Sequence, residues 1–227
     1  MIRLAVGLPA GEVAVSAEVE RPAAPVWAAL ALAHGAGSGM DHPFLLGFAE
    51  AVREAGVGTM RFAFPYREAG RRMPGPAAHA LATWEVAMAE LERSFPGVPH
   101  VAAGRSYGGR MASMAAADGR IAPDALVYLG YPYHPPGAPE RTRGDHLASI
   151  GAPQLFVSGT ADPFVQPAED FGRAVGSSPD AEIVWIDGGG HAFEVKGRPR
   201  AADEAGARLA AVVLPWLRAR LRDTGAA

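Results

Sequence analysis

The 227-residue chain contains no cysteine, which excludes disulfides, thiolate metal sites and a cysteine nucleophile in one step. Long apolar runs are also missing. No stretch reaches the roughly 18 uninterrupted apolar residues that a membrane-spanning helix needs. Met1 to Ala10 lacks the long apolar centre and the cleavage signal of a secretory leader. A cytoplasmic protein with no membrane partner is therefore expected. Nor is there a basic stripe: the net charge is −3, the arginines are scattered, and no footprint for nucleic acid is visible. No H-E-x-x-H pair and no phosphate-binding lysine loop occurs. His134 and the Asp145-His146 pair lack metal-ligand spacing. No cofactor is expected, and small-molecule chemistry remains by elimination.

What is present is a globular composition, 49% hydrophobic and 20% charged, in a length that fits one α/β domain across residues 1–227 and no second large one. Short apolar runs alternate with longer helix-like stretches, the pattern of a mostly parallel sheet covered by helices. Val13 to Val19 alternates as a half-exposed edge strand would. Val26 to Ala33, Gly58 to Phe64, His100 to Gly104, Ala125 to Gly130, Gln154 to Ser158 and Glu182 to Ile186 read as strands, most of them apolar enough to be buried on both faces. Between them, Phe44 to Ala55, Ala77 to Phe95, Ser106 to Ala117, Ala168 to Val175 and Ala201 to Arg222 read as helices, the last carrying Pro215 as a candidate kink.

Gly104-Arg105-Ser106-Tyr107-Gly108 fits G-x-S-x-G, a sharp turn between strand and helix that lifts a serine hydroxyl clear of a sheet. In a chain with 28 glycines the five-residue pattern alone is weak, and a glycine-rich turn ending in an ordinary helix-capping serine is the bland alternative. Context favours the elbow, because the match directly follows one predicted strand and opens a predicted helix. A serine hydroxyl needs a base to take its proton and a carboxylate to orient that base. Asp162 and His191 follow Ser106 in the required order, each just past the end of a predicted strand. There, open parallel sheets place their ligand sites. His34-Gly35-Ala36-Gly37-Ser38-Gly39 follows the strand Val26 to Ala33 and is the expected source of one oxyanion donor, Ala36, with Tyr107 supplying the other. A dinucleotide-binding reading of the same glycines fails, because Met40 stands where the third glycine of G-x-G-x-x-G belongs and no acid ends the next strand.

These blocks resemble the α/β-hydrolase superfamily over nearly the whole chain. More narrowly, His34-Gly35-Ala36-Gly37 with Met40-Asp41-His42-Pro43-Phe44, Gly104 to Arg110, Gly130-Tyr131-Pro132 with His134-Pro135-Pro136-Gly137, and Gly159 to Phe164 are similar to a small hydrolase-like group. That group includes testis-expressed and NSL-complex relatives and lies close to dienelactone-hydrolase-like proteins. The resemblance implies a mostly parallel sheet with helices on both faces, no large cap, and a metal-independent Ser-Asp-His triad.

Arg105 and Arg110 flank the serine and either contact a substrate carboxylate or brace loops, for example through Asp41. Met40, Phe44, Tyr131, Tyr133, Phe164 and Phe193, together with His134, lie on loops or helix starts expected to converge near Ser106, where several would line an apolar pocket. The reading that follows is a serine hydrolase acting on a small carboxylic ester through an acyl-enzyme, with activity rising with pH as His191 loses its proton. A peptidase or acyltransferase would use the same three residues. An interaction module that has kept only the fold is the non-enzymatic alternative.

Overall fold

The computed structural model describes residues 1–222. Eight strands, β1 (Ile2–Leu8), β2 (Gly11–Glu20), β3 (Ala28–Ala33), β4 (Val57–Phe62), β5 (His100–Arg105), β6 (Ala125–Leu129), β7 (Gln154–Gly159) and β8 (Ala181–Ile186), form one sheet in the order β1-β2-β4-β3-β5-β6-β7-β8. The β1–β2 hairpin and the β2–β4 pair are antiparallel, and the remaining pairs are parallel. The helices are α1 (Pro43–Glu54), α2 (Pro65–Glu68), α3 (Ala77–Ser94), α4 (Tyr107–Ala117), α5 (Ala168–Gly176) and α6 (Ala202–Arg222).

Strand alternation divides the core into two layers. Along β3, Ala29, Ala31 and Ala33 face a layer filled from α3, α4 and α5, while Ala28, Leu30 and Leu32 face one filled from α1 and α6. Strands buried on both faces favour apolar residues, which is why β3 and β6 appear in the sequence as uninterrupted apolar runs, while β4 and β7 also carry the buried polar residues Thr59, Arg61, Gln154 and Ser158. Trp84, Phe62 and Phe95 are shut off from solvent in the first layer and Phe44 and Phe48 in the second. Each such side chain contributes roughly 1.5–3 kcal/mol of burial.

One expectation is corrected. Val13 to Val19 lies within β2 but is not at the edge, because Ile2–Leu8 pairs outside it as β1. Pro65–Glu68 forms a single helical turn, too short for any periodicity to reveal. Pro215 does not end α6, which runs on to Arg222 and buries Trp216, Leu217 and Leu221 beyond it. No helix among the described residues is long and apolar enough to cross a membrane.

Candidate active site

β5 ends at Arg105 and α4 starts at Tyr107, so Ser106 occupies the whole turn, with φ 49 and ψ −115. A positive φ is costly for any residue with a Cβ and persists only where the surroundings over-determine it. Here they do. Ser106 N–H donates to Leu129 O at 3.0 Å and Arg110 N–H to Ser106 O at 3.0 Å. The two flanking glycines allow the strand and helix to touch: a Cβ at Gly104 would stand 2.4 Å from Gly109 N, and one at Gly108 would stand 2.6 Å from His34 O. Trp84 Nε1–H donates to Gly108 O at 3.1 Å, tying the elbow to α3. Among the described residues, the only other non-glycine residue with positive φ is Phe193, two positions from His191.

The structure brings the three predicted residues together. His191 Nε2 lies 2.9 Å from Ser106 Oγ and Nδ1 lies 2.8 Å from Asp162 Oδ2. A carboxylate oxygen only accepts, so Nδ1 carries the proton and Nε2 presents its lone pair to the hydroxyl. Asp162 is completely buried, and its other oxygen accepts from Phe164 N–H at 2.9 Å. The Phe164 ring lies against the imidazole, centroid to centroid 4.1 Å. A histidine so held can take the serine proton, and a buried carboxylate can stabilise the resulting imidazolium.

On the other side of Ser106 runs the loop that leaves β3. A Cβ at Gly35 would lie 3.6 Å from Ser106 Cβ. Among the described residues neither the Ala36 nor the Tyr107 N–H has a hydrogen-bonded partner, and Tyr107 opens α4, where the helix dipole adds partial positive charge. His34 fixes the loop's course: its Nδ1–H donates to Gly35 O at 2.9 Å and its Nε2 accepts from Phe64 N–H at 3.2 Å. Burial chiefly, aided by the nearby Arg67 charge and opposed by the bond to Gly35 O, lowers its pKa from 6.5 to about 4. The ring is therefore a neutral brace at physiological pH. Sequence reading passed over this role because the partners are thirty residues apart.

A family profile described as Alpha/beta hydrolase domain matches residues 27–215. The chain belongs to the α/β-hydrolase family. Solved structures agree on the fold. A dienelactone hydrolase from Anabaena variabilis superimposes with a TM-score of 0.72 at 24% identity, covering 97% of this chain and 98% of its own. An alpha-beta serine hydrolase homologue from Coxiella burnetii gives 0.71 at 18%, covering 95% and 97%. A serine hydrolase without lid from Xanthomonas campestris gives 0.69 at 17%, covering 97% and 94%. In keeping with that fold, this α/β hydrolase carries no large cap over its sheet.

The remaining residues singled out in the sequence of this α/β hydrolase scatter around the site. Phe44 and Met40 are buried beside the elbow; Phe44 stacks on Phe193 at 5.9 Å and carries the Arg105 guanidinium over its face at 4.7 Å. Among the described residues nothing accepts a hydrogen bond from the Arg105 guanidinium, whose pKa is lowered by burial and partly restored by Glu194. Asp41 is bound neither by Arg105 nor by Arg110. Arg61 holds it at 3.1 Å, together with Met40 O at 3.0 Å and Glu20 at 3.3 Å. Tyr131 is wholly buried among Tyr128, Phe156 and Phe171, with its hydroxyl donating to Arg143 O, which makes it a core residue. Tyr133 packs on Phe171 and on His134. His134 is buried with Nδ1 at 2.9 Å from Pro135 O.

Proposed function

We propose that this α/β hydrolase is a serine hydrolase that cleaves a small carboxylic ester through an acyl-enzyme. The observation that carries the reading is the unbroken chain from Ser106 Oγ through His191 to Asp162, at 2.9 and 2.8 Å. Ser106 attacks the ester carbonyl while its proton passes to His191 Nε2. Asp162, already bonded to Nδ1–H, stabilises the imidazolium. The carbonyl oxygen becomes negative in the tetrahedral intermediate and is met by the N–H groups of Ala36 and Tyr107, which no carbonyl among the described residues occupies, at the positive end of α4. Collapse of the intermediate expels the alcohol, protonated by His191, and leaves Ser106 acylated. Water activated by the same histidine then releases the acid and restores the serine.

The strained backbone at Ser106 supports the reading, since such conformations cluster at working sites. The test is labelling with a fluorophosphonate. The wild type should be modified at Ser106 and Ser106→Ala should not. A wild type that stays unmodified, or that is modified elsewhere, removes the hydrolase assignment and leaves a fold that serves as an interaction module. Peptides and acyl acceptors offered beside esters separate peptidase or acyltransferase use of the same three residues.

A further inference from the structure

Arg105 immediately precedes Ser106, and on β5 it falls on the face of Val101 and Ala103, toward the layer filled from α1 and α6. Its guanidinium lies over the Phe44 ring at 4.7 Å, and Phe44 in turn stacks on Phe193 at 5.9 Å. Phe44 stands in the first turn of α1, just past the loop that carries Ala36, and Phe193 stands two residues past His191. The cation is thus seated between the segment that offers an oxyanion donor and the loop that offers the base. The oxyanion loop borders the nucleophile and its neighbour together: a Cβ at Gly35 would meet Arg105 O at 3.5 Å and Ser106 Cβ at 3.6 Å.

The acids around this place are engaged elsewhere. Asp41 is held by Arg61, and Asp162 by His191 and Phe164 N–H. Glu194 Oε2 accepts from Ala192 N–H at 2.9 Å, and Glu194 only partly offsets the lowering of the Arg105 pKa by burial. His42 accepts from Phe44 N–H at 3.2 Å, and burial and the Arg105 charge push it toward the neutral form. Among the described residues the Arg105 guanidinium therefore has neither an ion pair nor a hydrogen bond. Five N–H donors on a half-buried cation are costly to leave unused. The Phe44 face offsets part of that cost, but it does not engage the N–H edge of the fork. A neutral side chain would fill the same space over Phe44 without the cost.

We propose that Arg105 is the specificity-determining residue of the enzyme and that the substrate is an ester carrying a second, ionised carboxyl group, which the guanidinium grips. A planar carboxylate meets the edge of the fork through two parallel hydrogen bonds, and its single charge matches the single cation. The proposal rests on the Ser106 hydrolase reading and assigns the substrate class of that same site.

The experiment measures kcat/KM for two series of esters. Ethyl half-esters of succinic, glutaric and adipic acids carry the carboxylate on the acyl half, and acetyl esters of glycolic and 3-hydroxypropionic acids carry it on the alcohol half. Each is compared with the uncharged carboxamide of the same length. The wild type should favour the carboxylate by at least about tenfold in one series. In Arg105→Gln and Arg105→Met that ratio should fall at least about tenfold. Arg105→Lys, which keeps the charge and loses the fork, should fall between. Arg110→Gln, which removes an equal charge one helical turn beyond Ser106, should keep the wild-type ratio. Fluorophosphonate labelling of Ser106 reports a folded site in each variant. A wild-type ratio near one in both series, an unchanged ratio in a labelled neutral variant, or an equal fall in Arg110→Gln overturns the Arg105 assignment and leaves the hydrolase standing. So does failure of both neutral variants to be labelled, since the charge would then serve the fold and not the substrate. A wild type that is neither labelled nor active on any of these esters overturns the hydrolase reading, and the Arg105 assignment with it.

Discussion

Replacing His34 with glutamine should flatten the acid side of the stability curve. In the folded chain the His34 ring is fully buried, and both nitrogens are committed: Nδ1–H to Gly35 O and Nε2 to Phe64 N–H. A second proton would have to enter at Nε2, where it would face another N–H donor, and the charge would sit in a site without solvent beside Arg67. The unfolded chain has no such restriction and takes up the proton near 6.5, whereas the folded one resists until about 4. Between those values the unfolded state binds more protons, so acid favours unfolding. The contribution of His34 is complete above 6.5 and drains away as pH falls toward 4. The interval amounts to roughly 3 kcal/mol, a large share of the 5–15 kcal/mol that typically separates folded from unfolded. Urea unfolding of wild type and His34→Gln at a series of pH values between 7 and 4 measures it. Glutamine has an oxygen to accept from Phe64 N–H and an amide to donate to Gly35 O, but nothing to titrate. Contributions from His42 and His146, whose pKa values burial also lowers, are common to both proteins and cancel in the difference. The variant should lose about 3 kcal/mol less than the wild type over this range. Parallel curves, differing by less than about 1 kcal/mol in their change with pH, would refute the neutral, doubly bonded imidazole.

Two further outcomes follow from the elbow and the acid. Asp162→Asn preserves shape but cannot enforce a proton on Nδ1, so ester turnover should fall by roughly 10⁴-fold with an unchanged circular dichroism spectrum; turnover within tenfold of wild type would remove the orienting role. Gly104→Ala puts a methyl group 2.4 Å from Gly109 N, with backbone on both sides and nowhere to retreat. A destabilisation of at least about 1–3 kcal/mol is expected, read from denaturant midpoints, and a neutral substitution would show that the strand and helix do not meet as closely as drawn.

The central strands were readable because a strand buried on both faces has little freedom in its residue types. β3 and β6 are apolar throughout and stand out against any background, and β4 and β7 depart from that at only two polar positions each, Thr59 and Arg61 in one and Gln154 and Ser158 in the other. β1 was not readable in the same way. Arg3, Ala5 and Gly7 face solvent on one side, the run abuts the start of the chain, and its identity as a strand comes from pairing with β2 rather than from local preference. The three residues proposed to react were legible for a chemical reason: each sits at the end of a strand, in a turn whose glycines and proline mark the place, and their order along the chain is restricted by the fold. The polar braces were not. His34 with Phe64, and Arg61 with Asp41 and Glu20, join residues twenty to forty-one positions apart. Such pairs exist only once β4 lies between β2 and β3, so no local spacing announces them. The same limit explains why Arg105, next to the serine in sequence, looked like the partner of Asp41 when a strand residue was.

That division has a functional consequence. Reaction geometry is fixed by backbone contacts among Gly104, Gly108, Gly109 and the His34–Gly35 turn, where even a methyl group is not tolerated. The groups proposed to react are side chains held by that frame, the Ser106 hydroxyl 2.9 Å from the His191 imidazole and the imidazole 2.8 Å from Asp162. A substitution in the frame should therefore lower stability and turnover together, whereas one at Asp162 should lower turnover alone, and measuring both quantities on each variant separates the two contributions.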